Sequence, residues 1–246
     1  VAKAPIEDWN RYREELLKRS GDENKVMRLL MNRAKSNTKK IVFAEANHLD
    51  VLKTAQIDYE EGIAKPILLG HKEVIQELKK ELEFDADVLI IDPKDEDSEG
   101  KRKNYAAKFF EARKRSGVTL YGANTKMRER NYFGAMMVME GDADGMISGH
   151  SRAYANVVKP IFEVIGKANN VSKAATAHIM ITQRGPLILS DTSINIDPNS
   201  EELAEIAQMT ANLGVAFGFD PVFALLSYSI FGSSNNPHAF KVREDI

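Results

Sequence analysis

Polar residues directly follow an apolar run in the second half of this 246-residue chain, where a strand would end and a helix begin. Residues 185–190 are typical of a buried strand, and Asp191 and Asn195 follow in a polar loop. Asn199 or Ser200 then caps a helix whose apolar residues recur at helical spacing. Open α/β sheets bind ligands at such positions, although an ordinary strand-to-helix connection explains this loop equally well when it stands alone.

A second connection of this kind joins a predicted strand over residues 143–147 to a predicted helix over residues 151–166. Small residues at the strand end let the backbone approach a bound anion, and two cations follow on the helix. The candidate ligands are Ser148, Gly149, Ser151, Arg152 and Lys159. From spacing alone, solvent-exposed helix residues explain the two cations equally well.

Two weaker candidates complete the set. A loop after a predicted strand over residues 222–228 can wrap a pyrophosphate or a pantetheine through its backbone amides, but a bare Ser/Gly loop is a weak signal. Its candidate residues are Ser227, Ser229, Gly232, Ser233 and Ser234. The last candidate is Arg113, in a group of cations before a helix break at Gly117, where a solvated helix end is the usual explanation.

Composition excludes several classes of function. A net charge of −2 gives no broad electrostatic footprint for nucleic acid. The absence of cysteine excludes disulfides, thiolate catalysis and the usual zinc sites, and the five histidines never fall at metal-ligand spacing. No apolar run approaches the roughly 20 residues of a membrane span, and no signal peptide precedes the first helix. We therefore expect a cytoplasmic protein that binds neither nucleic acid nor membrane and holds no metal in this chain.

Strands that alternate with helices predict an α/β fold with mostly parallel sheets. The predicted strands cover residues 41–46, 64–70, 87–91, 143–147, 174–181, 186–190 and 222–228. We expect two lobes, over residues 22–150 and 151–246, with a cleft between them and a crossing near the helix at 151–166. A long helix predicted over residues 125–140 carries apolar residues that are expected to fill the core, namely Phe133, Met136, Met137 and Met139.

Taken together, the four candidate segments resemble the phosphate acetyl/butyryltransferase (phosphotransacetylase) family. The strand-end Ser-Gly motif of that family, with its following cation and proline, resembles Ser148-Gly149 and Lys159-Pro160. Its Arg-Lys-x-x-Gly, Asn-x-Asp-Pro and Ser-rich segments resemble residues 113–117, 195–198 and 227–234. The resemblance covers residues 22–246 and implies two lobes of parallel sheet flanked by helices, an architecture similar to that of isocitrate and isopropylmalate dehydrogenases.

This sequence departs from active members of the family in two places. Arg152 stands where they have a histidine, and Lys159 stands where they have an arginine, which loses bidentate phosphate geometry. The Ser-Arg…Asp catalytic segment of the family would lie beyond Ile246. Residues 152–155 are instead similar to the phosphotransacetylase-like C-terminal domain of large bacterial NADP-dependent malic enzymes, and residues 1–21 resemble the helical linker that precedes it. Both ends of the chain are therefore expected to be cut.

The resemblance implies a regulatory domain that binds acetyl-CoA or a related CoA ester, forms homodimers and conveys inhibition to a malic enzyme domain. It implies no catalytic residue and no cofactor here, with NADP and a divalent metal only in that other domain. The alternative is an active phosphate acetyltransferase in which Arg113 and Lys159 hold the acyl phosphate, and a third possibility is a purely structural dimerisation module.

Two spatial predictions follow from the family resemblance. Arg113 and Lys159 should converge on one anion pocket, and residues 148–152, 191–195 and 227–234 should surround a CoA ester without turning it over.

Overall fold

The computed structural model describes residues 9, 12, 21–169, 171–182, 185–227, 229, 233–234 and 236–243. The chain folds into two compact units, one formed by Met31–Gly166 and one formed by Val1–Leu30 together with Lys167–Ile246. We call the first the sheet unit and the second the hairpin unit. The division falls at Gly166, at the end of the helix near which the chain was predicted to cross between lobes.

The sheet unit contains a four-stranded sheet in which every neighbouring pair is parallel. Its strands are β1 (Lys39–Phe43), β2 (Ala64–Leu69), β3 (Leu89–Ile91) and β4 (Gly145–Ile147), in the order β3-β2-β1-β4. The chain moves outward from β1 through β2 to β3 and then returns to the other side of β1. The carboxyl ends of β1 and β4 therefore flank a topological switch point, where open α/β sheets bind their ligands. The predicted α/β fold with a parallel sheet is confirmed.

Helices cover both faces of this sheet. They are α2 (Leu49–Glu60), α3 (Lys72–Glu81), α4 (Glu99–Arg113), α5 (Leu120–Lys126), α6 (Arg130–Met139) and α7 (Tyr154–Val164), and a further helix, α1 (Gly21–Ser36), precedes β1 in the chain. Successive strand residues point to opposite faces, so Val42 packs in one core with Phe109 and Phe133 while Phe43 packs in the other with Leu52. Burial on both faces explains the nearly continuous apolar strands.

The single helix predicted over residues 125–140 is two helices, α5 and α6. The chain turns between them, and Glu129 has an extended backbone with ψ of 129°. The break between α5 and α6 lets Met127 and Phe133 pack in the same core. Helical periodicity in the sequence does not reveal this break. Met136 and Met137 are buried as predicted, but Met139 is exposed, so its assignment to the core was wrong.

The hairpin unit contains β5 (Ala177–Thr182), β6 (Gly185–Ser190), α8 (Ser200–Ala216) and α9 (Pro237–Arg243). β5 and β6 pair in antiparallel fashion, whereas the sequence pattern predicted mostly parallel strands. The reason is the connection, because a parallel crossover needs a dozen or more residues and only two separate these strands. Within the described part of the chain, no helix is long and apolar enough to cross a membrane.

The strand predicted over residues 222–228 is wrong for its described part. Residues 221–227 form no regular structure, and residue 228 lies outside the described residues. Val222 and Leu226 are 96% and 82% exposed, so the apolar run is not a buried strand here. An apolar run forms a strand only when a neighbouring strand pairs with it, and no described strand pairs with this segment.

Asn199 supplies the predicted cap of α8. Its side chain accepts a hydrogen bond from the Glu202 amide at 2.9 Å, and the Glu202 carboxylate accepts one from the Asn199 amide at 3.1 Å. This reciprocal capping box satisfies two amides that the helix cannot satisfy itself.

We expect Asn199→Ala to lower the free energy of unfolding by about 1 kcal/mol, measured by urea denaturation. Asn199→Ser should keep most of the wild-type stability, because serine is also a good N-cap residue. An equal loss in both variants would contradict the capping role.

Candidate functional site

Glu45 and the loop after β4 meet at the switch point of the sheet unit. Glu45, which lies just beyond the end of β1, is 1% exposed. Its carboxylate accepts hydrogen bonds from the amides of Gly149, His150 and Ser151 at 2.6, 2.8 and 3.1 Å, and from Ser151 Oγ at 2.6 Å. Three successive amides that converge on one carboxylate form an anion-binding nest. The backbone that was predicted to approach a bound anion thus binds a carboxylate of the chain itself.

These contacts determine the charge of Glu45. Burial alone would raise the pKa of its carboxyl, but the hydrogen bonds from Ser151 Oγ and from the three amides outweigh burial and lower the pKa to about 2. The loop needs Gly149 for this geometry, because the φ of that residue is 114° and residues with a Cβ rarely adopt that conformation. Glu45 is therefore a fixed negative charge at neutral pH rather than a proton acceptor.

Hydrogen bonds with neighbouring polar side chains also hold the loop after β4. Ser148 Oγ donates to Asn131 Oδ1 at 2.8 Å, and Asn131, 2% exposed, donates from Nδ2 to the carbonyl of Asn156 at 3.2 Å. Ser151 Oγ also lies 3.0 Å from His48 Nε2. The contacts of Ser148, Gly149 and Ser151 with Glu45 and Asn131 thus order the loop, and the role of these three residues toward a ligand stays a prediction.

Sequence reasoning missed Glu45 and His48 as members of this site. The signal was present, because Glu45 follows an apolar strand in the same way that Asp191 does. His48 comes three residues later, and its ring centroid lies 5.4 Å from that of His150. A rule that selects the polar residues at or just after the end of each predicted strand would have found both.

Arg113 and Lys159 occupy different local environments of the sheet unit. Arg113 ends α4, and its Nε is buried without a hydrogen-bond partner among the described residues. Lys159 is exposed and lies 3.9 Å from Glu163, which also binds Lys126 and accepts a hydrogen bond from Tyr132 at 2.7 Å. Their convergence on one anion stays a prediction.

Asp191 and Asn195 lie together in the hairpin unit. Asp191 accepts hydrogen bonds from the Thr176 amide at 2.8 Å and from the amide and side-chain nitrogen of Asn195 at 2.6 and 2.7 Å. Burial alone would raise the pKa of Asp191, but hydrogen bonds from Thr176 and Asn195 outweigh it and hold the pKa well below its usual range. Asn195 also donates to the carbonyl of Ala174 at 2.8 Å. The two side chains therefore order the loop after β6, and their role toward a ligand stays a prediction.

The hydroxyls of the Ser-rich loop accept hydrogen bonds from its own backbone. The Ser229 amide donates to Ser227 Oγ at 3.1 Å, and the Ser234 amide donates to Ser229 Oγ at 3.2 Å. Ser233 is exposed, and Gly232 lies outside the described residues. The predicted wrapping of a ligand by this loop stays a prediction.

An apolar cavity of about 620 Å³ lies within the hairpin unit. It is lined by β6, by α8 and by residues 219–226. Its lining extends to Ser190 and Leu226, the residues that precede the predicted ligands Asp191 and Ser227. Pockets for small molecules and cofactors have volumes of about 300–1,000 Å³ and mostly apolar walls, so this cavity has the size and lining of a ligand pocket.

Comparison with known proteins places this geometry in a family. Residues 25–246 match the model of the phosphate acetyl/butaryl transferase family. The chain belongs to this family. It is 36% identical over 225 residues to a phosphate acetyltransferase from Thermoanaerobacterium thermosaccharolyticum, a match that covers 89% of this chain and 67% of that protein. A phosphotransacetylase from Streptococcus pyogenes superposes with a TM-score of 0.81 at 34% identity, over 90% of this chain and 68% of that structure.

Malic enzymes contain a similar region. An NADP-dependent malic enzyme from Salmonella typhimurium is 34% identical over 251 residues, a match that covers 100% of this chain and 33% of that protein. The chain thus spans about two thirds of the matched phosphate acetyltransferase and one third of the malic enzyme. The predicted membership of the phosphate acetyl/butaryl transferase family, and the predicted resemblance to its malic enzyme branch, are confirmed.

Proposed function

We propose that this chain is a phosphotransacetylase-like regulatory domain of an NADP-dependent malic enzyme and that it binds acetyl-CoA as an allosteric effector. The observation that carries the proposal is the extent of the two matches. The malic enzyme matches the whole chain, whereas the family model begins at residue 25 and the phosphate acetyltransferase covers 89% of the chain. Residues 1–21, which resemble a linker, are thus part of the similarity to malic enzymes.

The described side chains support binding more than proton transfer. A general base must accept a proton near the working pH, and the low pKa values of Glu45 and Asp191 make both carboxylates poor proton acceptors. Arg152 supplies a positive charge. The cavity within the hairpin unit has the size and apolar lining that suit a pantetheine arm. Separately, cations of the sheet unit line a small cavity, and cations suit phosphate groups.

Regulation requires more than a binding site. Acetyl-CoA inhibits only if it binds one conformational state of the parent enzyme better than another, by a coupling free energy of typically about 1–3 kcal/mol. In this proposal the chain forms a homodimer, and acetyl-CoA binding to it shifts the conformational state of the malic enzyme domain. NADP and the divalent metal belong to that other domain, and this chain contributes neither a cofactor site nor a catalytic residue to it.

The second candidate function is phosphate acetyltransfer, in which acetyl-CoA and phosphate give acetyl phosphate and CoA. It is favoured by the 36% identity to a phosphate acetyltransferase and by the similarity of the fold to a phosphotransacetylase. In that case Arg113 and Lys159 hold the acyl phosphate and a base activates the thiol.

One experiment separates the two functions. The full-length protein is mixed with acetyl-CoA and phosphate, and release of the free thiol is followed with a chromogenic disulfide. The proposal expects no thiol release above the rate without protein, together with acetyl-CoA inhibition of malate decarboxylation. Thiol release that requires both acetyl-CoA and phosphate would replace the regulatory proposal with the enzymatic one.

A further inference from the structure

The free edge of β3 borders an open groove in the sheet unit. Among the described strands, β3 lies at the end of the sheet and pairs only with β2. A cavity of about 520 Å³ runs beside it, between one flank of α3 and the chain that leads into β3. Residues 84–88 line this cavity without interruption, so it follows the backbone edge rather than one face of the sheet. Extended peptides bind proteins by adding a strand to such an edge, where neighbouring pockets select their side chains.

The backbone at this edge is available to pair with another strand. The Gly70 amide donates to the Ile91 carbonyl at 3.1 Å, so the backbone groups of Ile91 point towards β2. Successive strand residues direct their backbone groups to opposite sides, and those of Val88 and Ile90 therefore point to the free edge. No described residue forms a hydrogen bond with the backbone of Val88 or Ile90. An edge with unpaired amides and carbonyls is a template for an added strand.

Side chains alternate between the two faces of the sheet along this edge. The residues that pack against the core beneath α3 are Ala86, Val88 and Ile90. The residues between them are exposed, namely Asp85, Asp87 and Leu89. Neither aspartate forms an ion pair within the part of the chain that the structure describes. Two uncompensated negative charges on one face repel an acidic strand and attract a basic one, because opposite charges on neighbouring strands stabilise their pairing.

The helical wall of the groove lies on the other face of the sheet and carries lysines. Lys72 already binds two aspartates of the chain, and Lys79 Nζ donates to the Ala86 carbonyl at 2.6 Å. Lys80 is exposed and lies beside the apolar side chains that line the groove. An added strand therefore meets negative charge on one face and an apolar surface with a lysine on the other, so basic side chains suit only the first face.

We infer that the free edge of β3 binds an extended polypeptide segment in which basic residues alternate with apolar ones. The segment adds a fifth strand to the sheet, and its backbone pairs with Val88 and Ile90. Its basic side chains meet Asp85 and Asp87, and its apolar side chains enter the groove beside α3. The inference goes beyond the proposed function, because it involves neither acetyl-CoA nor the hairpin unit.

Fluorescence anisotropy of the full-length protein tests this inference with two labelled synthetic heptapeptides. Lysine alternates with valine in the first peptide, and glutamate replaces lysine in the second. We expect the lysine peptide to bind about tenfold tighter or more at low salt, because each cross-strand charge pair contributes up to about 1 kcal/mol and the glutamate peptide is repelled. The difference should shrink as salt is added, since exposed charges are screened.

Two variants separate backbone pairing from charge. Val88→Pro removes an amide that points to the free edge, so the sheet keeps its own hydrogen bonds while the added strand loses one. We expect this variant to bind the lysine peptide about tenfold more weakly. Asp87→Lys should weaken binding of the lysine peptide and strengthen binding of the glutamate peptide. Glu73→Lys is the matched control, because Glu73 is an exposed glutamate of α3 outside the groove lining.

Several outcomes overturn the inference. They are no peptide binding by the full-length protein, equal affinity for the two peptides, unchanged affinity in a folded Val88→Pro variant, and an equal loss in Asp87→Lys and Glu73→Lys. A second copy of this chain on the edge would also overturn it, and Val88→Pro would then lower the oligomeric state measured by light scattering. If thermal unfolding shows that Val88→Pro does not fold, the exchange of peptide preference in Asp87→Lys decides the question.

Discussion

We expect the Glu45→Gln substitution to lower the free energy of unfolding by about 3 kcal/mol at neutral pH. The carboxylate of Glu45 accepts four hydrogen bonds from the loop of residues 149–151 at 2.6–3.1 Å. A glutamine side chain of the same shape carries no charge and offers only one acceptor oxygen. Its amide nitrogen would face backbone N–H donors, so buried donors would lose their acceptor.

Urea denaturation of both proteins measures this difference. Glu73→Gln is the matched control, because Glu73 is an exposed glutamate of the first turn of α3 and removing its charge should leave stability almost unchanged. A loss of less than about 0.5 kcal/mol in Glu45→Gln would show that water or rearrangement satisfies the loop amides without the carboxylate.

The difference in free energy of unfolding between wild type and Glu45→Gln should also depend on pH. The pKa of Glu45 is lowered from an ordinary value of 4.5 to about 2, so its contribution to stability is complete above pH 4.5 and disappears as the pH falls towards 2. The difference between wild type and Glu45→Gln should therefore shrink from about 3 kcal/mol at pH 6 to about 1 kcal/mol at pH 3. A difference that stays constant over this range would mean that Glu45 titrates at the same pH in the folded and unfolded chains.

The Arg152→Ala substitution should weaken acetyl-CoA binding by about 1–3 kcal/mol, or roughly 5- to 150-fold. Arg152 is exposed, lines the small cavity with Arg130, and forms no hydrogen bond or ion pair with any described residue. A side chain of this kind is ready to bind an anionic group of the effector. Under the regulatory function proposed above, the same substitution in the full-length protein should relieve acetyl-CoA inhibition of malate decarboxylation, with turnover in the absence of acetyl-CoA as the reference.

Calorimetry at fixed salt and an inhibition curve test this second prediction. Arg152→Lys keeps the charge but not the forked donor geometry, so its affinity should fall between those of the wild type and Arg152→Ala. Arg115→Ala removes an exposed charge outside the cavity lining and should change neither measurement. Unchanged affinity in Arg152→Ala would remove this residue from the site and restore its interpretation as a solvent-exposed cation.

Local patterns determined much of this protein. Apolar runs and helical spacing predicted the strands β1 to β4, because residues within one element decide its type. The alternation of strands with helices predicted their parallel arrangement, because a helical crossover returns the chain to the same end of the sheet. Asn199 and Gly117 marked the ends of helices, since capping and a left-handed φ depend on the residue itself. The order of the candidate segments along the chain was enough to identify the family.

Tertiary structure decided which side chains meet. Glu45 binds the amide of Gly149 although 104 positions separate them, and that pairing requires β1 and β4 to lie side by side. The small cavity draws its lining from four separate segments of the sheet unit, around residues 70, 93, 129 and 152. The antiparallel pairing of β5 with β6 and the break between α5 and α6 likewise follow from connection length and shared packing. Periodicity in the sequence describes only the residues within one element. Contacts between elements depend on strand order and register, which arise only in the folded chain.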